Sequence, residues 1–524
     1  MKTKTIFKRK VNLGLLFSAL LLTGIVGCQK GTFDVNKVNP NAPTSAPSQY
    51  LLSSSLTATA SLMHGGNSDV LDNWMGYWTQ SGGFTPSTTY VIYQITSSNY
   101  TGNFDNAYII LSNYNLLLKN AGNDPAQSYY KAMATIMQAF MYQRLVDLYN
   151  SVPYSQALST NATFSYKYDD PATIYKGLVA KCDSAVTIIK AAPTNAINPG
   201  NYDVVFGGNM TNWIAFAKTL KLKLLMRQTE AGLGSAGVKT ALSGMATADF
   251  LTVDATVNPG YSNATSGQLN PLYYDLIANA TGQNGLNTTY YRANSYAVKF
   301  YQDHNDPRIN AIYAPSGKEA INYTTQLDGT DPLNRAMVKG RDYGSINGNG
   351  ESNSVISAII GTGFSGGKQK GPTQSAPLIT AFESLFLQAE AVQRGYLAGD
   401  AGSIYNAAVT ADFTFLGASG VTAYLGQADA LTNYSQASAA DKVTLIVTQK
   451  WAAMNSVDPL ESYSDWRRLG IPASLPVSKY PGVTVSHIPY RFPYPINETT
   501  LNGGNVPAGG TGNDLFTSKI FWMK

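Results

Sequence analysis

Residues that could do acid–base, nucleophilic or metal chemistry are scarce and dispersed in this sequence. His64, His304 and His487 stand alone, and none lies in an H-E-x-x-H arrangement that would offer zinc two ligands on one helix face. The run Gly361-Thr362-Gly363-Phe364-Ser365-Gly366-Gly367-Lys368 has the glycines of a phosphate loop without its register. The motif's first glycine falls on Thr362 and Gln369 stands where a Ser or Thr belongs, so a mobile loop is the better reading. Glu383 and Glu390 could be offered as a glycosidase pair. Seven residues along one helix separate them by about 10 Å, whereas such pairs work at about 5–5.5 Å or ~6.5–9.5 Å. Arg394 follows Glu390 by four residues, so an intrahelical ion pair explains the spacing better. Asp465-Trp466-Arg467-Arg468 likewise reads as a structural ion-pair cluster. No catalytic residue, metal site or cofactor is expected.

What remains is aromatic. Trp74, Tyr77 and Trp78 crowd together, followed by Tyr90, Tyr93 and Tyr100 in polar, Gly- and Thr-rich surroundings. A second cluster holds Tyr290, Tyr291 and Tyr296, with Arg292 between them and several Asn nearby. Sugars present flat C–H faces to rings and hydroxyls to Asn, Asp and Arg. Rings with a polar tip are therefore a natural lining for a neutral saccharide site. We read Trp74, Tyr77, Trp78, Tyr90, Tyr93, Tyr290, Tyr291 and Arg292 as candidate ligand-binding residues. In the competing reading the same rings only close loops over the core.

Composition narrows the class. Of 524 residues, 44% are hydrophobic, 11% aromatic and only 13% charged, against about 25% charged in ordinary soluble domains. The 34 tyrosines argue for a large packed core and against disorder. Lys2, Lys4, Lys8, Arg9 and Lys10 account for the whole net charge of +5, and the remaining chain balances 32 bases against 32 acids. Such a body carries no electrostatic footprint for nucleic acid.

The basic start, the apolar run from Leu13 to Leu22 and Ile25-Val26-Gly27-Cys28 form a signal peptide over 1–27 ending in a bacterial lipobox. Cys28 is then the lipidation site, and its acyl chains hold the mature protein on a membrane. No later stretch reads as a transmembrane helix. Cys182 is left as the single thiol, in a helical run where a buried structural role is expected.

These residues must be positioned by helices. Residues 28–49 hold Pro40, Pro43 and Pro47 and read as a lipidated tether. Tyr130, Met133, Met137, Phe140, Met141, Leu145 and Leu148 recur at three- and four-residue steps, which predicts a helix over about 126–149 after the start signal Asp124-Pro125. Trp213 to Leu224 repeats the pattern over about 209–228, and Leu378 to Ala389 does so in a helix closing near Gly395. Further helices are expected near 104–120, 171–191, 401–416 and 439–456. Several would pair as short-looped hairpins in the manner of tetratricopeptide repeats, without a clean 34-residue period. Residues 232–375 are a loop-rich insert with a modest helical signal near 292–303, and the prolines of 470–524 make that end mostly irregular. The expected fold is mainly α: one domain over 50–524, a scaffold of tetratricopeptide-like helix pairs with long irregular loops and little β.

Motifs in order along the chain resemble those of the SusD/RagB family, the SusD-like nutrient-binding lipoproteins of Bacteroidota outer membranes. They are Asp34 through Asn41, Arg144 through Tyr154, and Tyr202-Asp203 through Trp213 to Arg227. Glu383 to Gly395, Gln449-Lys450-Trp451 with Asp465 to Arg468, and Pro489 to Pro495 with Glu498 complete the series. The resemblance implies a non-catalytic protein lipid-anchored at the outer membrane and facing the cell exterior. It implies an oligosaccharide ligand and a SusC-like, TonB-dependent transporter as principal partner, with the protein as its lid. It places ligand contacts in the loop after the first helix and in the loop-rich middle of the chain, where the two aromatic clusters fall. One departure concerns outward display: the residues after Cys28 reach their first acid only at Asp34, whereas exported relatives often carry acids at once. A peptide ligand, as in some relatives, and a secreted glycoside hydrolase with acids from distant segments are the alternatives. A purely structural closure of the transporter is a third reading.

Overall fold

The computed structural model describes residues 46–66, 69–159, 165–285, 287–316, 338–346, 355–361, 371–508 and 512–524. The segment read as a signal peptide, Cys28 and nearly all of the expected tether lie outside the described residues, as does most of the Gly361–Lys368 run. Ser48–Lys524 forms one compact unit. None of the helices among the described residues is long and apolar enough to cross a membrane.

The chain is mainly helical, with three two-stranded antiparallel ribbons among the described residues. The scaffold begins with α1 (Ser48–His64), α2 (Asp69–Trp74), α3 (Gly102–Ala121) and α4 (Ser128–Tyr149). It continues through α5 (Pro171–Lys190), α6 (Met210–Met226) and α7 (Gly234–Ala241). Helix α1 packs on α3, α3 on α4, α4 on α5 and α5 on α6, the last three pairs being neighbours in sequence. Local chemistry sets their ends. Asp170 and Asn209 accept backbone N–H groups of Thr173 and Asn212 as N-caps of α5 and α6, and Pro171 occupies the first turn, where no N–H is needed. The Asp124-Pro125 signal opens a 3-10 turn that leads into α4. Helix α4 departs from its predicted single apolar face: it is buried almost all round, Gln143 and Asp147 included.

The insert is less bare than its composition suggests, with α8 (Pro271–Leu276), α9 (Ser295–Asp303) and α10 (Arg308–Ile312) besides α7. The C-terminal half supplies α11 (Ala381–Gln393), α12 (Ala401–Leu416), α13 (Val421–Leu425), α14 (Lys442–Met454) and α15 (Pro459–Leu469), then α16 (Ile496–Leu501). Helix α11 stacks on α12, α14 and α6, which closes the two halves around one core.

That core contains a charge network between α4, α6, α11, α14 and α15. Lys223 and Arg227, one turn apart on α6, meet Glu383 at 2.5 Å, Glu461 at 3.1 and 2.6 Å, and Asp147 at 3.2 Å. Lys450 holds Asp465 at 3.0 Å, and Arg468 holds both Glu390 (2.7 Å) and Asp465 (2.8 Å). The i,i+4 pair of Glu390 with Arg394 forms at 2.7 Å. Burial alone would raise the Glu390 carboxyl, but Arg468 and Arg394 hold it below its ordinary range. Glu383 moves the other way, lifted by burial to about 7 against the pull of Lys223. Both acids weighed as a glycosidase pair are thus engaged in holding helices together. Cys182 is buried in α5, and burial pushes its thiol up, as befits a structural residue.

Candidate functional site

The two aromatic clusters meet. Strand β1 (Trp78–Gln80) pairs antiparallel with β2 (Tyr291–Ala293), setting Trp78 opposite Ala293 and Gln80 opposite Tyr291. Residues more than two hundred positions apart therefore share one small ribbon, as their joint reading as a site requires.

Yet most of these side chains face inward. Trp74 is 0% exposed, wedged between Tyr463 and Phe492 at centroid distances of 6.1 and 5.7 Å. Tyr77 stacks on Trp451 at 5.2 Å, donates its hydroxyl to Trp451 O (2.5 Å) and lies 2.6 Å from Ser462 Oγ. Trp78 donates Nε1–H to Ser456 Oγ (3.1 Å) and leans on Tyr291. Tyr93, at a positive φ of 63°, packs edge-on to Tyr343 and Phe516. Arg292 is buried too, its Nη1 donating to Thr288 O (2.7 Å) and Tyr291 O (2.9 Å). Tyr90 and Tyr291 are buried as well; Trp74 and Tyr77 are covered by α14, α15 and the C-terminal segment, whereas Trp78, Tyr90 and Tyr291 pack among themselves and against Tyr290 and Tyr343. The expectation that Trp74, Tyr77, Trp78, Tyr90, Tyr93, Tyr291 and Arg292 present their side chains to a ligand is corrected accordingly: all are buried, the rings because apolar burial outweighs a wet edge and Arg292 because backbone carbonyls hold its guanidinium.

Tyr290 differs. It is half-buried, accepts the Tyr90 hydroxyl at 3.0 Å and meets Phe84 edge to face at 4.9 Å. Phe84 is 42% exposed and stands in a cleft of about 390 Å³ walled by Gly82–Pro86 and by Arg341, Ser345 and Ile346. Gln80 fixes the Phe84 loop by donating to Thr85 O (2.6 Å) and accepting from Ser87 N (2.8 Å). Arg341 Nη1 donates to Gln80 O (2.8 Å), and its Nη2 to Ser345 O (2.5 Å), so the second wall is tied to the first. Phe84, Arg341, Ser345 and Ile346 escaped the sequence reading. Gly82-Gly83-Phe84-Thr85-Pro86 holds the one available signal, a large ring between residues that only loops favour.

Under Tyr290 lies a buried acid pair. Asn287 donates its side-chain amide to Asp275 Oδ1 (2.8 Å) and approaches Asp69 Oδ2 (3.4 Å), and its backbone carbonyl accepts the Tyr290 N–H at 3.0 Å. Burial, then the charge of Asp275, raises the Asp69 carboxyl well above its ordinary range, and burial lifts Asp275 to about 6. The histidines have structural partners: His64 Nε2 lies 2.6 Å from Pro377 O, His304 Nδ1 2.6 Å from Asp429, and His487 stacks on Tyr490.

Comparison with known proteins places this geometry. A SusD homolog from Bacteroides fragilis superposes with a TM-score of 0.71 at 20% identity, over 92% of this chain and 100% of its own. A SusD-like protein from Bacteroides thetaiotaomicron gives 0.69 at 20% identity, over 91% and 99%. A chitin-binding protein gives 0.67 at 22% identity, over 90% and 100%. At these identities the likeness is one of fold. No curated protein matches the chain. The family model SusD-like_2, described as starch-binding and associating with the outer membrane, matches residues 40–495. The chain belongs to the SusD-like family.

Proposed function

We propose that the protein is a non-catalytic lipoprotein that captures an oligosaccharide at the cleft holding Phe84 and passes it to a SusC-like TonB-dependent transporter. The observation carrying the reading is the exposed ring of Phe84, braced by Tyr290 and flanked by Arg341 and Ser345 in a preformed cleft. A flat apolar face beside polar groups suits a pyranose, and a loop already hydrogen-bonded loses little freedom on binding. The family description and the printed name of the chitin-binding neighbour favour a glycan. Anchoring through Cys28 at the exterior of the outer membrane belongs to the same proposal.

Isothermal titration of the soluble chain from Gln29 onward tests it. The panel holds α- and β-glucan, xylan, mannan and chitin oligosaccharides and a tryptic peptide mixture. Heat with one sugar class, no turnover of that sugar and none with peptides is expected. Binding of peptides alone, or hydrolysis of a bound sugar, overturns the reading.

A further inference from the structure

Segment 338–346 walls two clefts. Arg341 lines the one under Phe84, and the next residue, Asp342, lines a second of about 780 Å³, enclosed by α9 and residues 476–479. Its apolar lining includes Tyr296, Val298, Val338, Ile356 and Val477. Three lysines also line it: Lys299, Lys339 and Lys479, against Asp303 and Asp342.

The cations are available. Lys299 pairs with Asp303 at 2.6 Å with side chains 75% and 51% exposed, and Lys479 with Asp342 at 2.5 Å with 65% and 42% exposed. Exposed pairs of this kind contribute little and rearrange readily. Lys339 is exposed, and its ammonium has no partner among the described residues. Among the described residues the lining therefore holds three ammonium groups against two carboxylates, within a chain whose residues after the tenth balance overall. A neutral glycan would gain nothing from that excess. A ring with a C–H face for the apolar lining and an anionic substituent for the ammonium groups would use both.

We propose that this cleft is a second saccharide site that takes an acidic sugar residue, bearing a carboxylate or a sulfate. The proposal rests on the saccharide-capture reading and adds to it the class of ligand. It is tested by titrating the soluble chain with tetragalacturonate, a sulfated chondroitin tetrasaccharide, cellotetraose and an oligoglutamate peptide, at low and high salt. The wild type, Lys339→Gln and Phe84→Ala are compared. One acidic sugar should bind more tightly than cellotetraose, with affinity falling about tenfold in Lys339→Gln and falling again with salt. Which acidic sugar binds tells carboxylate from sulfate. Phe84→Ala should leave that binding intact. The proposal falls if no acidic sugar outbinds cellotetraose, if Lys339→Gln keeps full affinity, or if the acidic peptide binds as well. In each of those cases a neutral sugar that still binds, and is weakened by Phe84→Ala, keeps the capture reading standing. Silence towards all sugars ends both.

Discussion

Trp74→Ala and Phe84→Ala, made separately, should produce opposite signatures. Trp74 is wholly buried against Tyr463 and Phe492, and emptying such a site costs about 3–5 kcal/mol. The compact unit Ser48–Lys524 is large. At ~2.1 cal/mol/K of unfolding entropy per residue its melting entropy is about 1 kcal/mol/K, so Tm should fall by roughly 3–5 °C. Phe84 is 42% exposed and makes one edge-to-face ring contact, worth about 0.5–1.5 kcal/mol. Its loss should move Tm by only about 0.5–1.5 °C. The proposed ligand face disappears with the ring, and a contact of about 1.4 kcal/mol lost on binding raises Kd about tenfold. Calorimetric melting and titration with the oligosaccharide found by the panel read both quantities. Trp74→Ala with an unchanged Tm and abolished binding would show that the indole faces the ligand, and the assignment of core and surface rings would fail. Undiminished affinity in Phe84→Ala would remove the cleft from the function.

Arg468→Met strips Glu390 and Asp465 of a shared buried partner and should cost about 3–5 kcal/mol by urea denaturation, partly recovered by adding Glu390→Leu; a single-variant loss under about 1 kcal/mol would contradict the network's role. Asp275 binds its proton more tightly folded than unfolded, so its contribution to stability is present below its ordinary pKa and lost as pH rises from about 4 through about 6. Asp275→Asn escapes that loss and should gain on the wild type by up to ~3 kcal/mol between pH 4 and pH 7; a stability difference that does not change with pH would refute the buried acid pair. Arg292→Lys cannot reproduce the two carbonyl contacts that close the Thr288–Tyr291 turn. Faster amide exchange at Tyr290 and Tyr291 with weaker glycan binding is expected, and unaltered exchange would show the turn is held otherwise.

The helices α3 to α6, α11, α12 and α14 are legible because their apolar spacing is a local property, and the Glu390–Arg394 pair because four residues make one turn. Helix α1 was missed for a physical reason. Its buried face mixes Leu51, Leu56 and Met63 with Ser55 and Thr59, and Thr59 satisfies its hydroxyl on Ser55 O (2.8 Å) and Tyr114 OH (3.0 Å), so polar letters hide a packed face. Helix α15 hides likewise, because Glu461, Asp465 and Arg468 are its inward side. Arg308 is fully buried on Asp306 and on Asp412, more than a hundred residues away, a partnership no local pattern announces. The same holds at the candidate site. Sequence by itself marked both aromatic clusters and the family, since ring type and motif order are written along the chain. Only the tertiary structure decided that β1 pairs with β2, that α14, α15 and the C-terminal segment cover Trp74 and Tyr77, and that Phe84 and Tyr290 stay at the surface. Exposure depends on which distant segments arrive to cover a ring, and neither the ring's own residue type nor its neighbours along the chain carry that information.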